Sequence, residues 1–513
     1  MKNIIDQFEL MVNNFPDKIL FSDVETSITA SQFKQRCEEV AQDILHVTGG
    51  TIQNSPIAVV DNRNVNTLIF MFGVVYSGNH YVLLDGASPA ERLNKICGVI
   101  ETKLILCEEK TEKLASELAS NLDDCKVLCA DKFLSSKVDR SVLSKIREKS
   151  ISTDPVYILF TSGSTGVPKG TVINHSNLLS YVKWYTQTFE IDENTILANQ
   201  TPFYFSASVS DVYSSFLYGA TLNIIPKSYF SFPIQLTRFL NERKVNTIYW
   251  VPSALCLCAN IKLLDYEKPK YLKKVHFAGE VMPNKQLNYW RNALPDVKYV
   301  NLFGPTETTD ICLYYVVDRE FRDDESLPIG RHCDNLDVFV IDENGKMVEE
   351  VGKSGELYVR GSFISPGYYK NEEQTKKAFV QNPLNSNYPE TVYRTGDIVM
   401  LNKYGEYEYV GRKDFQIKHK GYRIELGEIE RVASALDNVS TVVALYDKGE
   451  DKLIVVYSGK DNKEKVYNDL SSRLPGYMLP EVIIKLNSIP TNQNGKIDRV
   501  YLISNYKNLD KGV

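Results

Sequence analysis

The chain reads as an α/β protein: a large N-terminal domain of α/β subdomains that ends in a small β-rich subdomain, followed by a small C-terminal α+β domain. Three features predict this. From Ile57 to Phe303, short apolar runs alternate with longer segments of helical period, the signature of an α/β sheet. From Leu327 the texture shortens, with Gly330, Gly345, Gly352, Gly355, Gly361 and Gly367 at close intervals, which suits brief strands joined by turns. Beyond Gly411–Asp414 the remaining stretch has an alternation of its own, placing the boundaries at 1–411, a hinge at 412–416 and 417–513. A chain of 513 residues also exceeds what one hydrophobic core organises.

Taken in order, Ile4–Val12 and Ala30–Leu45 carry the stripe of amphipathic helices, the second through Phe33, Cys37, Val40, Ala41 and Ile44. An apolar strand begins at Ile57, Leu68–Tyr76 is a continuous apolar run, and Tyr81–Asp85 is the next strand, with Glu91, Arg92 and Leu93 following Pro89. Leu104–Cys107 is a further strand and Glu108–Asn121 a polar helix, after which Asp123–Thr153 reads as polar and broken. The strand Tyr157–Phe160 leads to a helix at Ser176–Phe189, a strand about Ile196 and a helix at Pro233–Arg243. Strands follow at Val245–Val251, at Val275–Ala278 before Gly279, and at Tyr299–Phe303. The last domain offers helices at Glu428–Leu436 and Lys463–Arg473 around strands at Thr441–Tyr446 and Leu453–Tyr457.

Composition narrows the function. With 43% hydrophobic and 24% charged residues the chain is of the soluble globular kind, and its longest apolar run falls short of a membrane span. Asp6 and Glu9 interrupt the first apolar residues, which argues against a secretory signal. A net charge of -6 without long basic runs gives no footprint for nucleic acid, so a small-molecule partner is expected. The nine cysteines lack zinc-site spacing and read as reduced packing residues of a cytoplasmic protein, and the six histidines form no metal motif.

Two strand ends carry chemistry. The first is YILFTSGSTGVPKG, Tyr157–Gly170, where a buried strand empties into a loop. Gly163, Gly166 and Gly170 let the backbone approach an anion, Thr161, Ser162, Ser164 and Thr165 offer hydroxyls, and Lys169 adds positive charge, the makings of a phosphate cradle. Val167 and Pro168 intervene where the Walker pattern needs Gly-Lys-Ser/Thr, so P-loop hydrolase chemistry is not implied. The second is Gly304–Thr309, in which Thr306 and Glu307 place a hydroxyl beside a carboxylate, a pairing suited to Mg2+ already bridging phosphates. Strand ends of this kind are where α/β sheets put their sites.

TSGSTGVPKG, FGPTETT, YRTGD, GRKDFQIKHKGYRIELGEIE and NGKIDR occur in that order, and with them the chain resembles the adenylate-forming superfamily of acyl-CoA synthetases, luciferases and nonribosomal peptide synthetase adenylation domains. FAGEVMPN, SLPIG, LPGYMLP and SIPTNQNGKIDR make it most similar to free-standing adenylation enzymes such as the D-alanine–D-alanyl carrier protein ligases. The resemblance implies ATP and Mg2+ as co-substrate and cofactor, a small carboxylic acid as substrate and a holo carrier protein, acting in trans through its phosphopantetheine thiol, as acceptor. The acid would first become an acyl-adenylate and then a thioester. The resemblance places Thr161, Ser162, Gly163, Ser164, Thr165, Gly166 and Lys169 over the phosphates, and Asn301, Phe303, Gly304, Asp397 and Arg412 around the rest of the nucleotide. Thr306, Glu307 and Lys496 would be catalytic, Glu307 holding the magnesium and Lys496 gripping carboxylate and phosphate. The C-terminal domain would be mobile, swinging at Asp414 to present Lys418 and Gly421 to the pantetheine, with Lys420 and Arg423 beside them as candidate grips on the carrier's phosphate. A coenzyme A ligase shares the first half-reaction, and a non-catalytic binding module is the alternative of another class; the SIPTNQNGKIDR ending favours a carrier protein, and the presence of Lys496 and Glu307 favours an enzyme.

The substrate pocket departs from the relatives. By the same resemblance it is lined by Phe205, Ser206, Ala207, Ser210, Tyr249, His276, Ala278, Gly279, Leu302, Asp310 and Ile311. Amino-acid-activating relatives have Asp where this chain has Ser206, and a serine cannot offset the burial of an α-ammonium. An acid without an ordinarily recognised α-amino group is therefore expected. Asp310 needs a partner, for which His276, Tyr249 and a substrate amine away from the α-position are the candidates. Tyr204 and Phe205 are aromatics at the gate or in the core.

Overall fold

The computed structural model describes residues 2–131, 137–161, 168–323, 325–413, 416–490 and 497–509. Its contacts divide the chain into two units, one of Met1–Gly86, Ile100–Leu159 and Gly170–Lys413, the other of Ala87–Val99, Phe160–Lys169 and Asp414–Val513.

The larger unit is built on three sheets. In the nine-stranded sheet, Thr221–Ile224, Ile196–Asn199, Thr247–Trp250, Lys274–Phe277 and Lys298–Phe303 lie side by side and parallel. Leu313–Val316 closes one side antiparallel to Lys298–Phe303. These five parallel strands read as continuous apolar runs because both faces are covered, and Thr247–Trp250 is buried at every position. A second sheet has the order 126–129, 104–107, 56–61, 80–85, 155–161 and 169–174. The third is antiparallel, with Leu336–Ile341, Ser354–Gly361 and Thr391–Leu401 at its centre, the β-rich subdomain that the glycine spacing predicts.

Local chemistry sets the helices. Ala30–Thr48 starts from a Thr29/Gln32 capping box and stops at Gly49, whose φ of 63° is left-handed. The apolar run at Leu68–Tyr76 belongs to a helix, Val65–Tyr76, buried all round. That helix approaches Ala30–Thr48 so closely that a Cβ at Gly73 would lie 2.6 Å from Val40. The segment expected to be polar and broken holds a strand, Lys126–Cys129, and a helix, Arg140–Lys149. Each buries little, only Leu143 in the helix, which leaves almost no periodic signal to read.

The smaller unit contains a hairpin, Gln416–His419 with Tyr422–Glu425, and a three-stranded sheet of Val439–Asp447, Lys452–Gly459 and Val482–Lys485. The hairpin turns on two residues, Lys420 and Gly421, both at positive φ, which matches the twist of its strands. Among the described residues no helix is long and apolar enough to cross a membrane, and no disulfide forms.

Burial pushes three imidazoles down, His80 and His175 to about 4 and His276 to about 3. An unfolded histidine titrates near 6.5, so the unfolded chain takes up protons that the folded chain refuses. Stability is therefore full above about pH 6.5 and falls as the pH drops towards 4. Asp61, raised to about 6 by burial, acts oppositely over the lower part of that range, but it is one group against three. Neither ring nitrogen of His80 has a hydrogen-bond partner. Replacing it with an apolar residue removes an unmet desolvation cost, so His80→Leu is expected to raise unfolding stability at pH 7 by about 1 kcal/mol. The same variant should lose less stability between pH 7 and pH 5 than the parent, as urea denaturation at the two pH values will show.

Candidate active site

The site of the larger unit lies past the carboxyl ends of the parallel strands, where open α/β sheets bind ligands. Lys298–Phe303 delivers Asn301, Leu302 and Phe303, and the chain then folds back so that the Cys312 N–H donates to the Phe303 carbonyl at 2.8 Å. Gly304 makes that reversal possible. A Cβ there would stand 2.3 Å from the Asp310 carbonyl oxygen and 2.5 Å from the Ile311 Cα. Within the reversal Thr306–Thr308 forms one short 3-10 turn, and Thr309 follows at φ 69°, ψ -52°. The Asp310 N–H donates back to the Thr308 carbonyl at 2.8 Å, so Thr309 is the centre of a γ-turn of the rare, strained hand. Its hydroxyl, donating to the Phe363 carbonyl at 2.7 Å, holds it there.

This turn points its residues two ways. On one side Glu307 is fully buried and accepts a 2.6 Å hydrogen bond from the Tyr368 hydroxyl. The Ser365 N–H donates to the Glu307 backbone carbonyl. Thr306 donates to the Ser206 hydroxyl at 3.2 Å, so the residue that stands where relatives have a carboxylate is engaged with a threonine. On the other side Asp310, 2% exposed, enters the floor of the pocket. Its partners there are hydroxyls: Tyr181 at 2.9 Å, Ser210 at 3.1 Å and Tyr249 at 3.3 Å. Of the partners expected from the sequence, Tyr249 bonds Asp310, while His276 lies 2.7 Å from the Tyr185 hydroxyl instead. Burial, then the nearby Asp310 charge, pushes the Tyr181 and Tyr249 phenols far up, so both remain donors. Asp211, next to Ser210, is pushed up by burial as well, which favours its neutral form beside Asp310.

Ser210, Tyr249, His276, Ala278, Leu302, Asp310 and Ile311 are all buried, whereas Phe205, Ser206, Ala207, Gly279 and Gly304 are half-buried and form the rim. Tyr204 and Phe205 sit there with ring centres 4.8 Å apart. Asn301 donates to the Pro328 carbonyl at 2.8 Å, and the Phe303 ring lies 5.8 Å from that of Tyr409. Asp397 pairs across its strand with Arg412 at 3.0 Å, both nearly buried, and Arg412 also donates to the Thr395 carbonyl. Sequence reasoning passed over Tyr181, Tyr185 and Tyr368. The first two sit four apart on the helix His175–Phe189, a spacing that puts them on one face, and that spacing was the available signal.

In the smaller unit, Thr161 ends its strand with a buried hydroxyl that has no hydrogen-bond partner, as a donor waiting for an anion would. Lys169 faces Glu425 at 3.8 Å. Lys420 faces Glu481, and Arg423 donates to the Gln416 side chain at 2.7 Å. Gly421 sits in the hairpin turn and Lys418 on its first strand. Ser162, Gly163, Ser164, Thr165, Gly166, Asp414 and Lys496 lie outside the described residues.

An open parallel sheet with polar groups gathered past its strand ends defines an α/β enzyme-type binding site. Comparison with known proteins makes this specific. The family model described as AMP-binding enzyme matches residues 8–369. D-alanine–D-alanyl carrier protein ligase of Bacillus cytotoxicus is 31% identical over 516 residues, covering 98% of this chain and 99% of that protein. Surfactin synthase subunit 1 of Bacillus subtilis is 30% identical over 520 residues, 100% of this chain but 14% of that protein, so the chain spans a minor part of the large synthase. The crystal structure of the Vibrio cholerae adenylation domain AlmE in complex with glycyl-adenosine-5'-phosphate superposes with a TM-score of 0.83 at 19% identity, covering 98% of each chain. The chain belongs to the AMP-binding enzyme family, and its fold, a large N-terminal and a smaller C-terminal α/β domain, is that of the adenylation domains.

The close approach at Gly304 gives a direct test. Gly304→Ala is expected to cost about 2–3 kcal/mol, because the backbone it would strike cannot swing aside as a side chain can. Thermal unfolding should show an apparent melting temperature lower by several degrees.

Proposed function

We propose that this chain activates a small carboxylic acid with ATP and transfers the acyl group to the phosphopantetheine thiol of a holo carrier protein. In the first step a carboxylate oxygen attacks the α-phosphorus and pyrophosphate leaves, giving the acyl-adenylate. In the second the thiol sulfur attacks the acyl carbon, losing its proton, and AMP leaves. The observation that carries this reading is the end-to-end match with a free-standing carrier protein ligase within the AMP-binding family.

Each step asks for donors and cations that are in place before charge develops. Thr161 to Lys169 would hold the phosphates, Phe303 the adenine and Asp397 the ribose hydroxyls, with Arg412 beside it. The Thr306 hydroxyl and the Glu307 carboxylate, oriented by Tyr368, are hard oxygen donors of the kind magnesium takes alongside phosphate oxygens. Bound there, the ion would supply positive charge to the phosphates. Lys496 would grip carboxylate and phosphate together. Lys418 and Gly421 would face the pantetheine, and Asp414 would serve as hinge.

The acid lacks an ordinarily recognised α-amino group. Support comes from Ser206, whose hydroxyl is bonded by Thr306 and brings no charge to an ammonium.

ATP–pyrophosphate exchange over a panel of acids is the primary test, and the reading falls if none of them supports exchange. Lys496→Ala should lower exchange by roughly 10²–10³-fold, the size of one lost transition-state contact, while leaving transfer from added acyl-adenylate intact. Ser206→Asp supplies the missing carboxylate and should create exchange with simple α-amino acids that the parent does not use. Exchange by the parent with α-amino acids alone would refute the serine argument.

A further inference from the structure

If the pocket takes a carboxylic acid, as proposed above, its deepest layer bears on which one. His276 lies on the strand Lys274–Phe277, in register with Tyr249 on one side and Val300 on the other. Its side chain is fully buried, with the Phe189 ring 4.6 Å away and the Tyr185 ring 5.6 Å away. The Tyr185 hydroxyl is 2.7 Å from Nδ1, and Nε2 has no hydrogen-bond partner.

The protonation follows from the surroundings. Burial, and then the positive charges of Lys274 and Lys298 on this strand and the next, hold the ring neutral, so it carries one N–H. Burial also keeps the Tyr185 phenol protonated. We assign its hydrogen to the bond with Nδ1, which leaves the imidazole proton on Nε2. A fully buried N–H without an acceptor is rare, because it bears the whole cost of leaving water with nothing gained in return. Ala278, two residues along and so on the same side of the strand, leads outward to the half-buried Gly279 at the rim.

We infer that Nε2 of His276 donates to an oxygen at the far end of the substrate, so the acid is one whose tail ends in a hydroxyl or carbonyl group and not in hydrocarbon. Tyr185 is a positioning residue: it fixes the tautomer and the plane of the ring, and leaves recognition to Nε2. Asp310, already accepting from Tyr181, Ser210 and Tyr249, braces the neighbouring wall. A site built to meet a polar group discriminates strongly against the analogue that lacks it, since the buried partner is then left unpaired.

The test is ATP–pyrophosphate exchange by the full chain with matched acids of several lengths, straight-chain and aromatic, that differ only in a terminal hydroxyl or carbonyl against hydrogen or methyl. The parent should prefer the oxygen-bearing member of the best pair by at least about tenfold in kcat/KM. His276→Leu should bring the two members within about threefold while still using the hydrocarbon acid. Tyr185→Phe should raise KM for the oxygen-bearing acid and leave kcat and the hydrocarbon acid nearly unchanged. Equal use of both members by the parent, as a buried water on Nε2 would give, overturns the inference and leaves acid activation standing. So does an undiminished preference in His276→Leu. If that variant is inactive, His276→Gln, which keeps a donor on this strand, must retain the preference, and its failure to do so also overturns the inference. Exchange with no acid at all removes the proposed function and this inference with it.

Discussion

Everything at the centre of the larger unit depends on backbone meeting backbone at Gly304. The chain leaves a parallel strand and must return antiparallel to it within ten residues, and it does so with no room for a Cβ between Gly304 and the carbonyl of Asp310. Because the reversal is so tight, one strained residue, Thr309, separates the group that faces the phosphate side, Glu307, from the group that enters the pocket floor, Asp310. Packing sets the geometry here, since a turn this crowded has one arrangement and cannot deform gradually.

The floor shows how burial governs chemistry when charge is scarce. Asp310 is met by hydroxyls from three separate elements, and each of those hydroxyls is kept protonated by the burial that makes it a dependable donor. Asp211, close by, is pushed by burial towards its neutral form. Two carboxyls in one dry region thus need hold only one negative charge, the usual solution when like charges crowd.

The sequence makes the strand-end turns plain because glycine, proline and a Thr-Glu pair after an apolar run have few other reasons to occur together. Gly279, Gly304 and Asp397 are found where such turns place them. It is far less informative where function rests on residues that also look like core. Tyr181 and Tyr185 read as the apolar stripe of a helix, and only the fold brings Tyr181 to Asp310, 129 positions away. The partner of Asp310 was open for the same reason: His276 and Tyr249 occupy adjacent strands in register, and which one turns its polar atom towards the carboxylate depends on the third layer that the helix supplies. Lys126–Cys129 and Arg140–Lys149 escaped notice because an edge strand and a helix with one buried side chain leave no rhythm in the sequence.

The segment 361–368 ties these parts together. Ser365 and Tyr368 hold Glu307, the Phe363 carbonyl holds Thr309, and the carbonyls of Ser362 and Ile364 accept from Asn177 at the start of the tyrosine helix. One short loop thus underpins the carboxylate on the phosphate side and the first turn of the helix that floors the pocket, while Tyr181, Tyr185 and His276 take their hydrogen bonds elsewhere. For protein engineering this separates two design problems: the far wall can be recut to accept a different acid through those three positions and their partners, provided the loop that carries the reaction machinery is left as nature wrote it.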